Sequence, residues 1–157
     1  MVLLLSLLLG MMLTSDLQKS LAISHLCDEI LASNDSIFSV SSVNKHGRVI
    51  ECKFRNDGVI KKMTKHETEV FFMQKSLQVS MSMELDDSLS PLDFIIIRRQ
   101  TLLEFIFPYS QGLLVVVSTL NIVPRYLAKK ISLKLQNFNY LLQNAQFLKN
   151  ISNESSQ

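Results

Sequence analysis

The chain has 157 residues, 47% of them apolar and 19% charged, with 16 Lys and Arg set against 14 Asp and Glu for a formal charge of +2. That length suits one domain that buries its core without metal or disulfides. The apolar share excludes a largely disordered chain, and the near-even charge gives no general attraction to nucleic acid. Four Gly, three Pro and no Trp exclude collagen-like and Pro-rich classes.

Residues 2–13, VLLLSLLLGMML, are almost pure hydrocarbon. As a helix they span about 18 Å, short of the ~30 Å bilayer core, so a transmembrane helix is not expected. No Lys or Arg precedes the run and no small-x-small site closes it, as a secretory signal requires. Three readings of this 1–13 leader stay open: an export signal or membrane-surface anchor, a helix packed on the domain or a partner, or an over-extended start. In the last, which is preferred, the functional chain begins at Met11 or Met12. The chain beyond the leader looks intracellular, so a cytoplasmic location is expected, with membrane contact only if the leader is kept as an anchor.

Ser15 and Gln18 form an S-x-x-Q capping box, which opens a first helix over 16–32 with Leu17, Leu21, Ile23, Leu26, Ile30 and Leu31 on its apolar face. Strands come next over 37–43 and 48–55, joined by Asn44-Lys45-His46-Gly47, whose Gly suits a positive φ. Alternation predicts Phe38, Val40 and Ser42 on one face of the first strand, with Ile37 and Val43 on the other. In the second strand it sets Ile50, Cys52 and Phe54 against Glu51, Lys53 and Arg55. Asn56-Asp57-Gly58 opens a polar loop that reaches Lys65, and a helix over 66–85 comes after it. Asp86-Asp87-Ser88 and Ser90-Pro91 end that helix, since Pro disfavours helix before it.

Three strands over 93–99, 102–107 and 113–118 are joined by connections short enough to force antiparallel hairpins. Asn121 is placed to cap a last helix opened by Pro124, with Val123, Leu127 and Ile131 as its stripe. Helical spacing continues to Leu148, and Asn150–Gln157 reads as a loose polar tail. The order α-β-β-α-β-β-β-α predicts an α+β fold: a five-stranded antiparallel sheet with the first and last helices on one face and the middle helix on the other. The expected division is a leader over 1–13, one domain over 14–135, and a helical extension with a polar tail over 136–157.

No residue set announces a reaction. His25, His46 and His66 lack the spacing of a metal site, and Cys27 and Cys52 read as small hydrophobes rather than a bridge. There is no G-x-S-x-G elbow, and three Gly after the leader cannot readily build a phosphate-cradling loop. Neither a catalytic role nor a cofactor or metal is expected. Residues 45–75 hold eight Lys or Arg against four acids, but without exposed aromatics beside them they read as a solvated face, so a nucleic-acid partner is not expected.

The informative excess lies in the middle helix. Phe72, Ser76, Val79 and Met83 form one stripe, while Val70, Met73, Leu77 and Met81 form a second. Two stripes imply either a helix sunk within its own domain or one that packs on the sheet and also on a partner. The partner reading is preferred, because large exposed apolar patches mark association and Met suits an adaptable interface.

From Leu26 to Lys134 the chain resembles the roadblock / dynein light chain superfamily of profilin-like folds, and most of all an archaeal branch of it. The residues that carry the resemblance are Ile37–Val43 with the turn Asn44–Ile50, the helix run Glu69–Val79, and the strands Phe94–Arg99, Leu102–Phe107 and Leu113–Val117. The resemblance implies a non-catalytic module that pairs by setting the middle helix against its twin and joining the third strands into one sheet, in several relatives as a regulator or scaffold for small GTPases. The expected surface is Val70, Phe72, Met73, Leu77, Val79, Met81, Phe94 and Ile96, the expected partners a second copy and a small GTPase or another protein. The alternative is a small-molecule sensor, which in related folds holds its ligand between sheet and helix.

Overall fold

The computed structural model describes residues 1–6, 16–55 and 59–154. The leader beyond residue 6, the Ser15 half of the capping box, the Asn56-Asp57-Gly58 loop and residues 155–157 lie outside it. Residues 2–6 are helical. The main elements are α1 (Asp16–Ala32), β1 (Ile37–Val43), β2 (Val49–Phe54), a one-turn α2 (Val59–Lys62), α3 (Lys65–Met83), a one-turn α4 (Asp86–Leu89), β3 (Ile95–Arg98), β4 (Leu102–Tyr109), β5 (Gly112–Thr119) and α5 (Pro124–Glu154).

The five strands form one antiparallel sheet in the order β2-β1-β5-β4-β3. Its centre is β1, β5 and β4, whose apolar runs are buried on both faces, as continuous Val, Leu and Ile segments require. On one face Ile23, Leu26, Cys27 and Ile30 of α1 meet Leu127, Ala128, Ile131 and Leu135 of α5 across Val40, Phe105, Leu114 and Val116. On the other face Phe72 and Val79 of α3, with Ile60, cover Val43, Ile106, Val115 and Val117. The helices divide between the faces as their order in the chain predicts.

Several local expectations give way. Leu17 and Leu21 are exposed: at about 100° per residue they fall on the far side of the helix from Leu26 and Ile30. In β1 a register shift between Ile37 and Ser39 inserts one residue. Ile37 therefore joins Val40 on the α1 face and Phe38 turns to the α3 face, the reverse of strict alternation. The hairpin after β4 is tighter than the sequence suggested, with β4 running through Pro108 to Tyr109. Pro108 is tolerated there because β3 pairs with β4 only as far as Ile106. Asn121 does not cap α5; its N–H bonds the Thr119 hydroxyl, and the Val123 carbonyl accepts the first helical bonds. Helix α5 then runs unbroken for 31 residues, through the expected boundary at 135 and into the expected loose tail.

Gly112 is bound to its place by geometry. Its φ is +133°, and a Cβ would stand 2.2 Å from the Val43 carbonyl oxygen. Gly112→Ala should push β5 off β1 and cost more than about 1 kcal/mol, lowering the Tm by about 3 °C or more in a thermal melt.

Cys27 and Cys52 are free and belong to opposite faces of the sheet, so no bridge joins them. Burial pushes the Cys27 thiol from 9.0 up to about 12, with Glu51 and Cys52 adding to the effect. Burial likewise pushes the Tyr109 phenol from 10.0 up to about 12, against its hydrogen bond with Ser42, which lowers it. Groups raised on folding stabilise the native state below their unfolded values, and that contribution is lost as pH climbs toward the folded ones. Thermal stability should thus hold steady from neutral pH to about 9 and then decline toward 12. Cys27→Ala should make the decline between pH 9 and 10 shallower without removing it, because burial also raises the Cys52 thiol from 9.0, as followed by melts across the pH series.

Candidate interaction surface

Thr64 and Glu67 start α3 with a capping box: the Thr64 side chain accepts from the Glu67 N–H at 3.2 Å, and the Glu67 carboxylate accepts from the Thr64 N–H at 2.7 Å. The backbone bond from Thr64 holds the Glu67 carboxyl below its usual range. This T-x-x-E signal is present in the sequence and would have fixed the start of α3.

Helix α3 turns one of its two stripes inward. Phe72, Ser76 and Val79 are buried, and so is Lys75, which sits between them on the same face at 3% exposure. The Lys75 ammonium pairs with the carboxylate of Glu104, which is itself 1% exposed in the middle of β4. Arg99 closes the group from the β3–β4 turn by pairing with the second Glu104 oxygen. The Lys75 ammonium also lies 4.8 Å from the centre of the Phe71 ring, and the Ser76 hydroxyl donates to the Lys45 carbonyl at 3.0 Å. Lys75 therefore leaves the solvated basic face to which its neighbours assign it. Neither it nor Glu104, isolated in the run Leu-Leu-Glu-Phe-Ile-Phe, was singled out by sequence reasoning. A lone acid in an otherwise apolar strand was the available signal, since a buried carboxylate demands a cation.

The second stripe is bare. Val70 is 37% exposed, and Met73, Leu77 and Met81 are 61% each. The eight expected surface residues therefore separate into three sets. Val70, Met73, Leu77 and Met81 stand together on the outer side of α3. Phe72 and Val79 are buried in the subunit's own core. Phe94 and Ile96, at the free edge, are half-buried on the opposite face of the sheet, where Phe94 meets Phe107 at 5.8 Å between ring centres. Period-two alternation gives the reason: Ile95 and Ile97, not Phe94 and Ile96, lie on the α3 side. Strand β3 bonds to β4 on one side and ends the sheet on the other.

The space between sheet and α3, where a sensor would hold its ligand, is filled by Phe72, Val79 and the Lys75–Glu104 pair. An open groove of about 950 Å³ runs instead between the β1–β2 turn and α3, lined by His46, Arg48, Glu69 and Met73 among others. The turn is set by Gly47 at φ +81° and by the Asn44 side chain, which accepts from the N–H groups of His46 and Arg48. Among the described residues no three His, Cys, Asp or Glu are grouped to hold a metal, and no helix is long and apolar enough to cross a membrane.

No protein-family model matches the chain, and no curated protein matches it in sequence. Solved structures do match its fold. A roadblock/LC7 domain from Streptomyces avermitilis superposes with a TM-score of 0.60 at 10% identity, covering 76% of this chain and 97% of that one. MglB of Myxococcus xanthus gives 0.60 at 17% identity, over 78% and 91%. An MglB with a tetrameric arrangement gives 0.60 at 11% identity, over 79% and 89%. The chain thus has the fold of roadblock/LC7 domains.

The ion pair can be weighed by a double-mutant cycle in urea. Lys75→Met alone leaves a buried carboxylate with only Arg99 and should cost up to about 3–5 kcal/mol, whereas Lys75→Met with Glu104→Leu should recover most of that loss.

Proposed function

We propose that the chain is a non-catalytic interaction module that pairs with a second copy through the outer stripe of α3 and the free edge of β3, and that the pair regulates or scaffolds another protein. By the resemblance to roadblock proteins, that protein is a small GTPase. The observation that carries this reading is the stripe Val70-Met73-Leu77-Met81, four apolar side chains left in water while Phe72, Ser76 and Val79 of the other stripe are buried and only its last member, Met83, is 45% exposed. Apolar surface of this kind marks association, and a two-fold pairing sets one copy of the stripe against another. Among the described residues no strand pairs with the outer edge of β3, so a second strand can add there. The tetrameric arrangement of one MglB of the same fold is further support. A stable pair buries at least ~1,000 Å², which helix and edge together must provide.

Two substitutions two residues apart separate this reading from simple core damage. Leu77→Asp, on the exposed side, should leave a folded monomer by circular dichroism and light scattering at micromolar concentration. Val79→Asp, on the buried side, should cost several kcal/mol and yield unfolded or insoluble protein. A wild-type chain that scatters as a monomer, or a Leu77→Asp chain with the wild-type mass, rejects the pairing.

A further inference from the structure

Helix α5 carries a second apolar strip that the sheet does not use. Its inner side, through Leu127, Ile131, Leu135, Leu142 and Ala145, is buried. Half a turn away, Tyr126, Leu133, Tyr140 and Phe147 recur at seven-residue steps and are exposed by 70%, 53%, 64% and 64%. They point away from the protein and span about 32 Å along the helix axis. Arg125, Lys129 and Lys134 flank the strip, while Lys130 is turned aside to the Ser33 carbonyl. From Pro124 to Asn153 the helix contains no Asp or Glu.

The charge pattern discriminates between occupants. A second copy of α5 would bring two sets of cations together with no acid on either side to answer them. An anionic surface meets the same cations favourably. A long helix with aromatic and aliphatic groups on one side and Lys or Arg beside them is the form that lies in a bilayer interface, its rings at headgroup depth. One further observation points to lipid rather than to an acidic protein: helix α1 covers the same face of the sheet, and its Leu17 and Leu21 are exposed on its outward side, beside an Asp28 that Lys53 already pairs.

We propose that the outward side of α5 docks on an anionic lipid bilayer, with Tyr126, Leu133, Tyr140 and Phe147 entering the headgroup layer and Arg125, Lys129 and Lys134 meeting the acidic headgroups. Because α3 lies on the opposite face of the sheet, this docking is independent of pairing through α3 and can be tested separately from it.

The test is co-sedimentation of the full chain with phosphatidylcholine vesicles, with and without phosphatidylserine, at low and high salt. The chain should pellet with the phosphatidylserine vesicles, stay in solution with the neutral ones, and be released by salt. Each basic side chain near the surface strengthens binding about fivefold, so Arg125→Gln with Lys129→Gln should weaken it about 25-fold. Tyr140→Ser with Phe147→Ser should abolish it while circular dichroism stays unchanged. Failure to pellet with acidic vesicles overturns the proposal, as does equal pelleting of the wild-type chain and the Arg125→Gln/Lys129→Gln variant, which would assign the binding to residues 1–6 alone. A Tyr140→Ser/Phe147→Ser chain that binds vesicles normally but loses mass in light scattering assigns the strip to a second copy, and also overturns it.

Discussion

The contact on which the rest of the molecule turns is the buried pair of Lys75 and Glu104. Helix α3 has two stripes of comparable apolar character, and packing alone offers little reason to bury Phe72 and Val79 rather than Met73 and Leu77. Rotating the helix to bury the second stripe would pull the Lys75 ammonium from the sheet and strand the Glu104 carboxylate in an apolar strand. A buried ion pair adds little stability over a well-packed hydrophobic one, but breaking it is costly. Any other rotation of α3 would bear that cost, and the rotation that avoids it turns Met73, Leu77 and Met81 outward.

The sheet is the other fixed frame. Its three central strands are covered on both sides, so each helix must choose a face, and the short β3–β4 and β4–β5 connections leave the chain little choice. Helices α1 and α5 share one side through Ile30, Ile131 and the Phe105–Phe107 ladder. Helix α3 has the other side to itself apart from the single turn of α2. With α3 packed on the sheet by its inner side, its Met73-Leu77-Met81 side stays in water.

Much of this was legible in the residues. Period-two strands, the Asn44–Gly47 turn and the order of elements are local signals, and they defined the sheet and the partition of helices. The two stripes on α3 were legible as well, but not which of them turns inward. That depended on a pairing between positions 75 and 104, which no local pattern records. Phe94 and Ile96 entered the expected surface through the third strand's edge, and alternation along that strand turns their side chains to the face opposite α3. Ile37 and Phe38 were misplaced because a one-residue bulge leaves no mark in the spacing. The last turn of α5, from Asn150, reads as a loose tail because its polar residues resemble a loop in composition.

The two unused apolar surfaces lie on opposite sides of one thin sheet, and this arrangement has a consequence for valency. A pair of chains joined at the β3 edge into one continuous sheet, with their α3 helices side by side, would hold two copies of the α5 surface on the same face, both unobstructed by the joint. Grips that are each weak then act together, since the second is made at an effective concentration set by the first rather than by the solution. Attachment would rise steeply once pairs form, and the protein would respond to its own abundance without any change of shape.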